Sequence, residues 1–407
     1  MAGALSHIRV LDLSRILAGP WAGQMLADLG ADVIKVERPG AGDDTRGWGP
    51  PWLKDAHGAD TDVAAYYLCA NRNKRSITID ITRAEGQALV RRLAAESDVV
   101  LENFKVGGLK QYGLDYDSLK AVNTRLVYCS ITGFGQDGPY APRAGYDFLI
   151  QGLGGLMSLT GRPDGEEGGG PMKVGVALTD ILTGLYATNA VLAALAWREQ
   201  SGEGQYIDLA LLDVQVACLA NQAANYLATG QSPQRLGNAH PNIVPYQDFP
   251  TADGYMILAI GNDGQFARFC AAAGAPELAR DERFATNRAR VLNRTTLIPL
   301  LKKLTVERST AAWIATLEAL AVPCGPINTL ADVFADPQVQ ARGLKVTMPH
   351  AVAGEVPLVA SPMKLSATPV DYRLPPPMLG EHTDQILAAT LGLDAAAIAR
   401  LRADGVV

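Results

Sequence analysis

Asp180 is a lone carboxylate in the run Lys173-Val174-Gly175-Val176-Ala177-Leu178-Thr179-Asp180, and an uncharged helical stretch follows it from Ile181 to Trp197. An acid at the head of a helix meets the positive end of the dipole and the unpaired N–H groups of the first turn, and both favour its ionised form. Two roles fit: an ordinary N-cap, or a nucleophile that can carry an acyl group covalently. Taken alone, capping is the commoner use of such a residue.

A second group of residues suits a phosphorylated ligand. Arg38 ends an apolar run, Asp43-Asp44-Thr45-Arg46 follows in a Gly-rich loop, and Asn71-Arg72-Asn73-Lys74-Arg75 precedes another apolar run. Basic groups at the ends of parallel strands are where phosphates dock in open α/β sheets. A solvated basic turn is the competing reading. In Glu102-Asn103-Phe104 an amide and a ring face could hold a base, or Phe104 could simply pack in the core.

Other chemistries lack their motifs. The chain has no G-x-x-x-x-G-K-[ST] loop and no G-x-S-x-G elbow, which disfavours ATP-driven chemistry and a serine hydrolase of the α/β type. The first turn lacks G-x-G-x-x-G, although Glu37 ends a strand where a ribose-binding acid would sit, so a nicotinamide-dependent oxidoreductase is an open but poorly supported alternative. The five histidines are dispersed and no metal site is expected. The five cysteines have no C-x-x-C spacing, and Cys324 in Pro323-Cys324-Gly325-Pro326 reads as a turn residue. Met1 to Ser6 lacks the basic and apolar regions of a secretion signal, and scattered thiols fit a reducing compartment, so a cytoplasmic location is expected. The net charge of −6 argues against nucleic acid or an anionic membrane as partner.

The elements that must hold these residues alternate. Strands are expected at His7–Leu13, Ala31–Glu37, Ser76–Ile81, Asp98–Phe104 and Arg125–Phe134, with helices between. One of those helices opens on the capping box Thr82-Arg83-Ala84-Glu85. That order implies parallel β-α-β crossovers and a doubly wound, Rossmann-like α/β sheet. A buried helix over Thr179–Glu199, a strand over Gln205–Ala210 and one long helix over Leu212–Thr229 follow. The 407 residues exceed one simple core. The expected division is a large α/β domain over 1–225, a smaller α+β domain over 226–328, and a segment over 329–407. Val322–Leu330 reads as the exit linker from the small domain.

Several motifs together resemble a known family. They are Leu11-Asp12-Leu13-Ser14-Arg15-Ile16-Leu17-Ala18-Gly19-Pro20, Val36-Glu37-Arg38-Pro39-Gly40-Ala41-Gly42-Asp43, Asn71 to Ser76, Glu102-Asn103-Phe104, Gly175-Val176-Ala177, Pro323 to Pro326, and Leu379-Gly380-Glu381-His382-Thr383. In order along nearly the whole chain, they resemble the class III coenzyme A transferases. The resemblance implies that Asp180 is the catalytic aspartate, that Ile16, Leu17 and Ala18 lie along the CoA chain, and that Arg38, Asn71, Lys74, Asn103 and Phe104 surround its nucleotide. Gln111 and Ala144 stand where some members carry a CoA-contacting arginine and lysine. It also implies an interlocked homodimer, a large domain completed by the C-terminal segment, and acyl-CoA and carboxylic acid as substrates with no permanently bound cofactor.

The family's racemases carry a histidine before an aspartate where this chain has Tyr146-Asp147, and a tyrosine of pKa about 10 is a poor base. A 2-methylacyl-CoA racemase is therefore the alternative and a transferase the expectation. The implied reaction passes through an aspartyl mixed anhydride and an aspartyl-CoA thioester, with N–H groups at the helix start as oxyanion donors. Tyr146 and Asp147 would lie near the thioester. Ala41 to Arg46, Ala239-His240 and Ile243 to Gln247 resemble the succinyl-CoA:glutarate CoA-transferases within the family. That implies a dicarboxylate acceptor such as glutarate and succinyl-CoA as donor. Arg235 or His240 would be candidates for the far carboxylate.

Overall fold

The computed structural model describes residues 3–407; Met1 and Ala2, where the segment read for a secretion signal begins, lie outside the described residues. Six apolar runs, Arg9–Asp12 (β1), Asp32–Glu37 (β2), Lys74–Thr78 (β3), Val99–Glu102 (β4), Val127–Thr132 (β5) and Tyr206–Ala210 (β6), join one sheet. Its order is β3-β2-β1-β4-β5-β6 and every neighbouring pair is parallel. Val10, Leu11, Val99, Val100 and Leu101 are wholly buried because helices cover both faces, which is why these strands read as unbroken apolar runs. Chain direction across the sheet reverses between β1 and β4, and the crevice beyond the strand ends at such a point is where ligands bind in open α/β sheets.

Ala18–Asp28 (α1), Ala84–Ala95 (α2), Asp147–Leu153 (α3), Leu178–Ser201 (α4) and Leu211–Ala217 (α5) are the helices that matter for the site. On one sheet face Leu89, Val90 and Leu93 of α2 join Leu11, Ile34 and Ile77, together with Ile386, Leu387, Ile398 and Leu401 from the C-terminal segment. On the other, Ala22 and Leu26 of α1 and Ala187 and Val191 of α4 pack on Val10, Val33 and Val99. The close crossing of α1 and α4 depends on Gly184, where a Cβ would lie 2.9 Å from the Ala18 carbonyl oxygen. Helix α4 has the length and apolarity to cross a membrane, with half of its most apolar window buried against the rest of the chain.

The described residues form two compact units. One comprises the chain up to Leu156, Val174–Ala224 and Gln338–Val407, the other Met157–Lys173 and Asn225–Pro337. In the first, the C-terminal segment is stitched to β3 and the residues after it: His382 N–H donates to the Ser76 carbonyl at 2.9 Å and Asp80 N–H to that of Val406 at 2.7 Å. In the second, Tyr246–Pro250, Tyr255–Ala259 and Cys324–Pro326 make an antiparallel sheet backed by helices around Phe249, Phe266, Phe269 and Trp313.

Three local expectations are corrected. The segment Val322–Leu330 is not a plain linker, since Cys324, Gly325 and Pro326 pair with Leu258, Ile257 and Met256; a three-residue Pro/Gly strand carries no apolar alternation. The helix expected over Leu212–Thr229 breaks into α5 and Ala220–Thr229, with Ala220 in the left-handed region at φ 47°. The Thr82 capping box does not form, because the Thr82 hydroxyl donates to Asp80 Oδ1 at 2.6 Å and α2 starts after Arg83.

Beneath the β1–β4 crevice lies a buried charge network. Lys74 Nζ donates to Asp12 Oδ2 at 2.9 Å and Lys35 Nζ to Asp43 Oδ2 at 2.8 Å, with all four side chains fully buried. Burial pulls the Lys74 ammonium down to about 8 even against the attraction of Asp12. Removing one partner strands the other in a low-dielectric interior, which costs more than an exposed pair is worth. Lys74→Met should therefore destabilise the protein by about 3–5 kcal/mol in a urea melt. Asp12→Asn combined with Lys74→Met should recover most of that loss.

Candidate active site

Helix α4 begins at Leu178, so Asp180 is the third residue of its first turn and not its cap. The N-cap position is Ala177, which offers no side-chain acceptor. Asp147 caps the helix instead, because its Oδ1 accepts the Thr179 N–H at 2.8 Å and the Asp180 N–H at 3.4 Å. The Leu178 N–H goes to the Val176 carbonyl at 2.8 Å. The first-turn donors expected to serve a developing oxyanion are thus already engaged, and Asp147 is a helix cap, not a free substrate contact.

Electrostatics at Asp180 run opposite to the dipole expectation from sequence. Burial, followed by the nearby Asp147 charge, pushes its carboxyl up to about 7. The phenol of Tyr66, on the helical turn Ala65–Leu68, is close enough to feel both carboxylates. Burial, with Asp180 next in weight, raises it to about 12, so it stays a neutral donor. Tyr66 was missed in the sequence, where it is one of two adjacent tyrosines with no motif around it.

Asp180 lines a cavity of about 160 Å³ with Ile16, Leu17, Ala18, Asn103, Phe104, Arg143, Ala144 and Tyr146. A wider cavity of about 400 Å³ over the β1–β4 crevice is lined by Arg38, Ile79–Thr82, Gln111 and Tyr112. The two share Arg15, Phe104 and Lys105 as walls. The turn between them is held in place by paired bonds: Arg15 N–H to Asn103 Oδ1 at 2.9 Å and Asn103 Nδ2 to the Arg15 carbonyl at 2.7 Å. Ile16 sits at φ 73°, an unfavourable conformation for a β-branched residue, and its N–H reaches Asp43 Oδ1 at 3.2 Å.

Asn71 and Lys74 are not brought to either cavity. Both are fully buried; the Asn71 amide donates to the Tyr67 carbonyl at 2.9 Å and its Oδ1 accepts from Lys74 at 3.1 Å. Their neighbours Arg72 and Arg75 are likewise spent on Asp28 and Asp32. The basic run that suggested phosphate binding is an internal brace. Glu37, the candidate ribose acid, is clamped by Arg46 through two 2.7 Å bonds and by Ser76 at 2.6 Å. Arg38, by contrast, is exposed and among the described residues has no ion-pair partner. In the second unit Arg235 pairs with Asp164, and His240 Nδ1 accepts the Asn242 N–H at 3.0 Å.

The raised Asp180 carboxyl has a stability consequence. The unfolded chain ionises it near pH 3.8 and the folded chain near 7, so stability falls as pH rises through that window and the penalty is complete above it. Asp180→Asn should raise stability at pH 8 by on the order of 2 kcal/mol and change it little at pH 4, read by thermal melts at the two pH values.

Asp180 thus lines the smaller of two cavities that share three walls. The model of CoA-transferase family III matches residues 5–383. A succinate–glutarate CoA-transferase of Agrobacterium fabrum is 56% identical over 384 residues, covering 94% of this chain and 95% of that protein. The human succinyl-CoA:glutarate CoA-transferase is 45% identical, covering 99% and 90%. A crystal structure of a CAIB/BAIF family protein from Brucella suis superposes with a TM-score of 0.84 at 54% identity, covering 96% of this chain and all of that one. The family model, these relatives and the shared fold place the chain in CoA-transferase family III.

Proposed function

We propose that this CoA-transferase moves CoA from succinyl-CoA to glutarate, with Asp180 as the covalent carrier. The observation that carries this reading is the placement of Asp180 in one cavity with Ile16–Ala18, Asn103 and Phe104, at the end of a crevice that opens past Arg38. The wider part suits the nucleotide, with Arg38 facing phosphate and the Phe104 ring facing the base, and the narrow part suits the thioester arm.

The Asp180 carboxylate attacks the thioester carbonyl, the C–S bond breaks, and CoA thiolate leaves an aspartyl–succinyl mixed anhydride. The thiolate attacks the Asp180 carbonyl carbon and succinate departs, leaving an aspartyl-CoA thioester. A glutarate carboxylate attacks that carbon and expels thiolate. The thiolate then takes the glutaryl group and Asp180 is regenerated. Each intermediate remains an activated acyl group, so no energy source beyond the donor thioester is needed. Tyr66, a neutral phenol within electrostatic reach of Asp180, is a candidate donor outside the cavity lining. Inversion by two bases is disfavoured, because Asp147 is committed to capping α4 and Tyr146 replaces the histidine.

The relatives named for glutarate support a dicarboxylate acceptor. Arg143 lines the Asp180 cavity, stacks on Phe134 and Tyr140 at 5.0 and 4.5 Å, and has no carboxylate partner among the described residues. It fits the far carboxylate better than Arg235, whose charge is already paired. Exposed apolar side chains on α3 to α5, among them Phe148, Leu153, Tyr186, Trp197 and Val216, support a homodimer that covers them.

Asp180→Ala should lower succinyl-CoA:glutarate exchange by roughly 10³-fold or more while CoA affinity measured by calorimetry holds within about threefold. In the native enzyme, hydroxylamine added during turnover should modify the peptide that contains Asp180. An unmodified peptide during active exchange would rule the carrier out. Because the carboxylate is the attacking form, the exchange rate should rise with pH through an ionisation near 7. Arg143→Met should weaken selection of glutarate over butyrate about tenfold or more, read as the ratio of kcat/KM values.

A further inference from the structure

Between Asp147 and the core stands Gln151, one turn further along α3 and fully buried. Its Nε2 donates to Asp147 Oδ2 at 2.7 Å, and its Oε1 accepts the Val174 N–H at 2.9 Å. The Val174 bond sets the direction of the amide. Reversing it would aim –NH₂ at an N–H and C=O at a carboxylate, two repulsive pairs in place of two bonds. Gln151 can therefore only donate to Asp147, and both Asp147 oxygens are then occupied as acceptors, Oδ1 by the helix N–H groups and Oδ2 by Gln151. Behind Asp147, Gln215 of α5 takes the Thr179 hydroxyl at 2.6 Å, which fixes the other side of the same helical turn.

We propose that Gln151 is a positioning residue for CoA transfer: its one-way amide holds Asp147 as the charged cap that orients the first turn of α4 and, through it, Asp180. The proposal rests on the reading of Asp180 as nucleophile. The carboxylate it holds in place lies beside Asp180, so Gln151 tunes the basicity of the attacking oxygen without touching substrate. The other polar groups around Asp180 do not substitute for it. Tyr66 comes from the turn Ala65–Leu68, Tyr146 from the head of α3, and Arg15, Lys105 and Arg143 from the cavity walls. Helix α1 brings Ala18 and α5 brings Leu211 and Gln215, none of them titratable. None of these is a donor to Asp147 Oδ2.

Two experiments test this. Gln151→Met keeps volume and removes the donor, so Asp147 Oδ2 loses its anchor and the carboxylate can swing off the helix N–H groups and away from Asp180. The Asp180 titration should move to lower pH by about half a unit or more, read by ¹³C NMR of carboxyl-labelled aspartate with the signal assigned by its loss in Asp180→Asn. The acidic limb of kcat should move with it, kcat should fall about tenfold, and the KM for succinyl-CoA should stay within about twofold. Asp147→Asn alone sets two –NH₂ groups against each other and should lower the melting temperature. Adding Gln151→Glu reverses the polarity of the pair, restores every bond with the same net charge, and should recover it.

An unmoved Asp180 titration in Gln151→Met, or a double variant no more stable than Asp147→Asn, overturns the role given to Gln151. If Gln151→Met does not fold, the Asp147→Asn pair of variants decides. Exchange retained by Asp180→Ala would instead overturn the nucleophile, and the NMR titration would still report on Gln151.

Discussion

Four charges that never meet water hold the working end of this protein. Asp12 closes β1, Lys35 lies within β2 and Lys74 starts β3, while Asp43 comes from the loop after β2; their pairing ties β1 to β3 and β2 to the loop. Asp12 also accepts the Ser14 N–H at 3.0 Å, and Lys35 donates to the Ser14 carbonyl at 2.9 Å. The turn leaving β1 is thus gripped from inside, and it can keep Ile16 in a conformation an isolated chain would abandon. Arg15, next to that strained residue, is one of the walls the two cavities share. Such a network contributes little net stability over an apolar core of the same shape, and its value here is positional.

A different balance operates at Asp180. Its carboxyl is pressed toward neutrality by burial and by Asp147, and the same pressure that lowers folded-state stability above neutral pH makes the ionised oxygen more basic. Asp147 serves both ends of this arrangement. It satisfies the helix donors that Ala177 cannot, and it supplies the charge that Asp180 feels. Strain at the turn and electrostatic cost at the carboxylate are concentrated within one cavity, as expected where stability gives way to function.

The sheet has the strand order of dinucleotide-binding folds, yet its details steer it away from that use. Glu37 is locked to Arg46 and Ser76, and the first turn is braced by Asn103 in place of a glycine fingerprint. The crevice at the reversal of strand order remains, and here it leads past Phe104 to Asp180. One scaffold serves unrelated chemistries because the ends of its strands, not the sheet itself, meet the ligand.

Much was legible in the chain alone. Doubly covered parallel strands must be apolar along their whole length, so their runs and the helices between them stand out, and the carboxylate at the head of α4 is conspicuous because the residues around it are uncharged. What linear order could not reveal was who pairs with whom. Asn71 and Lys74 stood as ligand contacts through the family resemblance; the fold, by setting Asp12 beside Lys74 across 62 positions, turned them inward. The cap of α4 likewise comes from Asp147, 32 residues upstream of Thr179, so the ionisation of Asp180 was decided by a neighbour in space and by burial. Helical and strand periodicity are local properties of a sequence. Desolvation and charge pairing depend on what the rest of the chain brings near, and those belong to the tertiary structure.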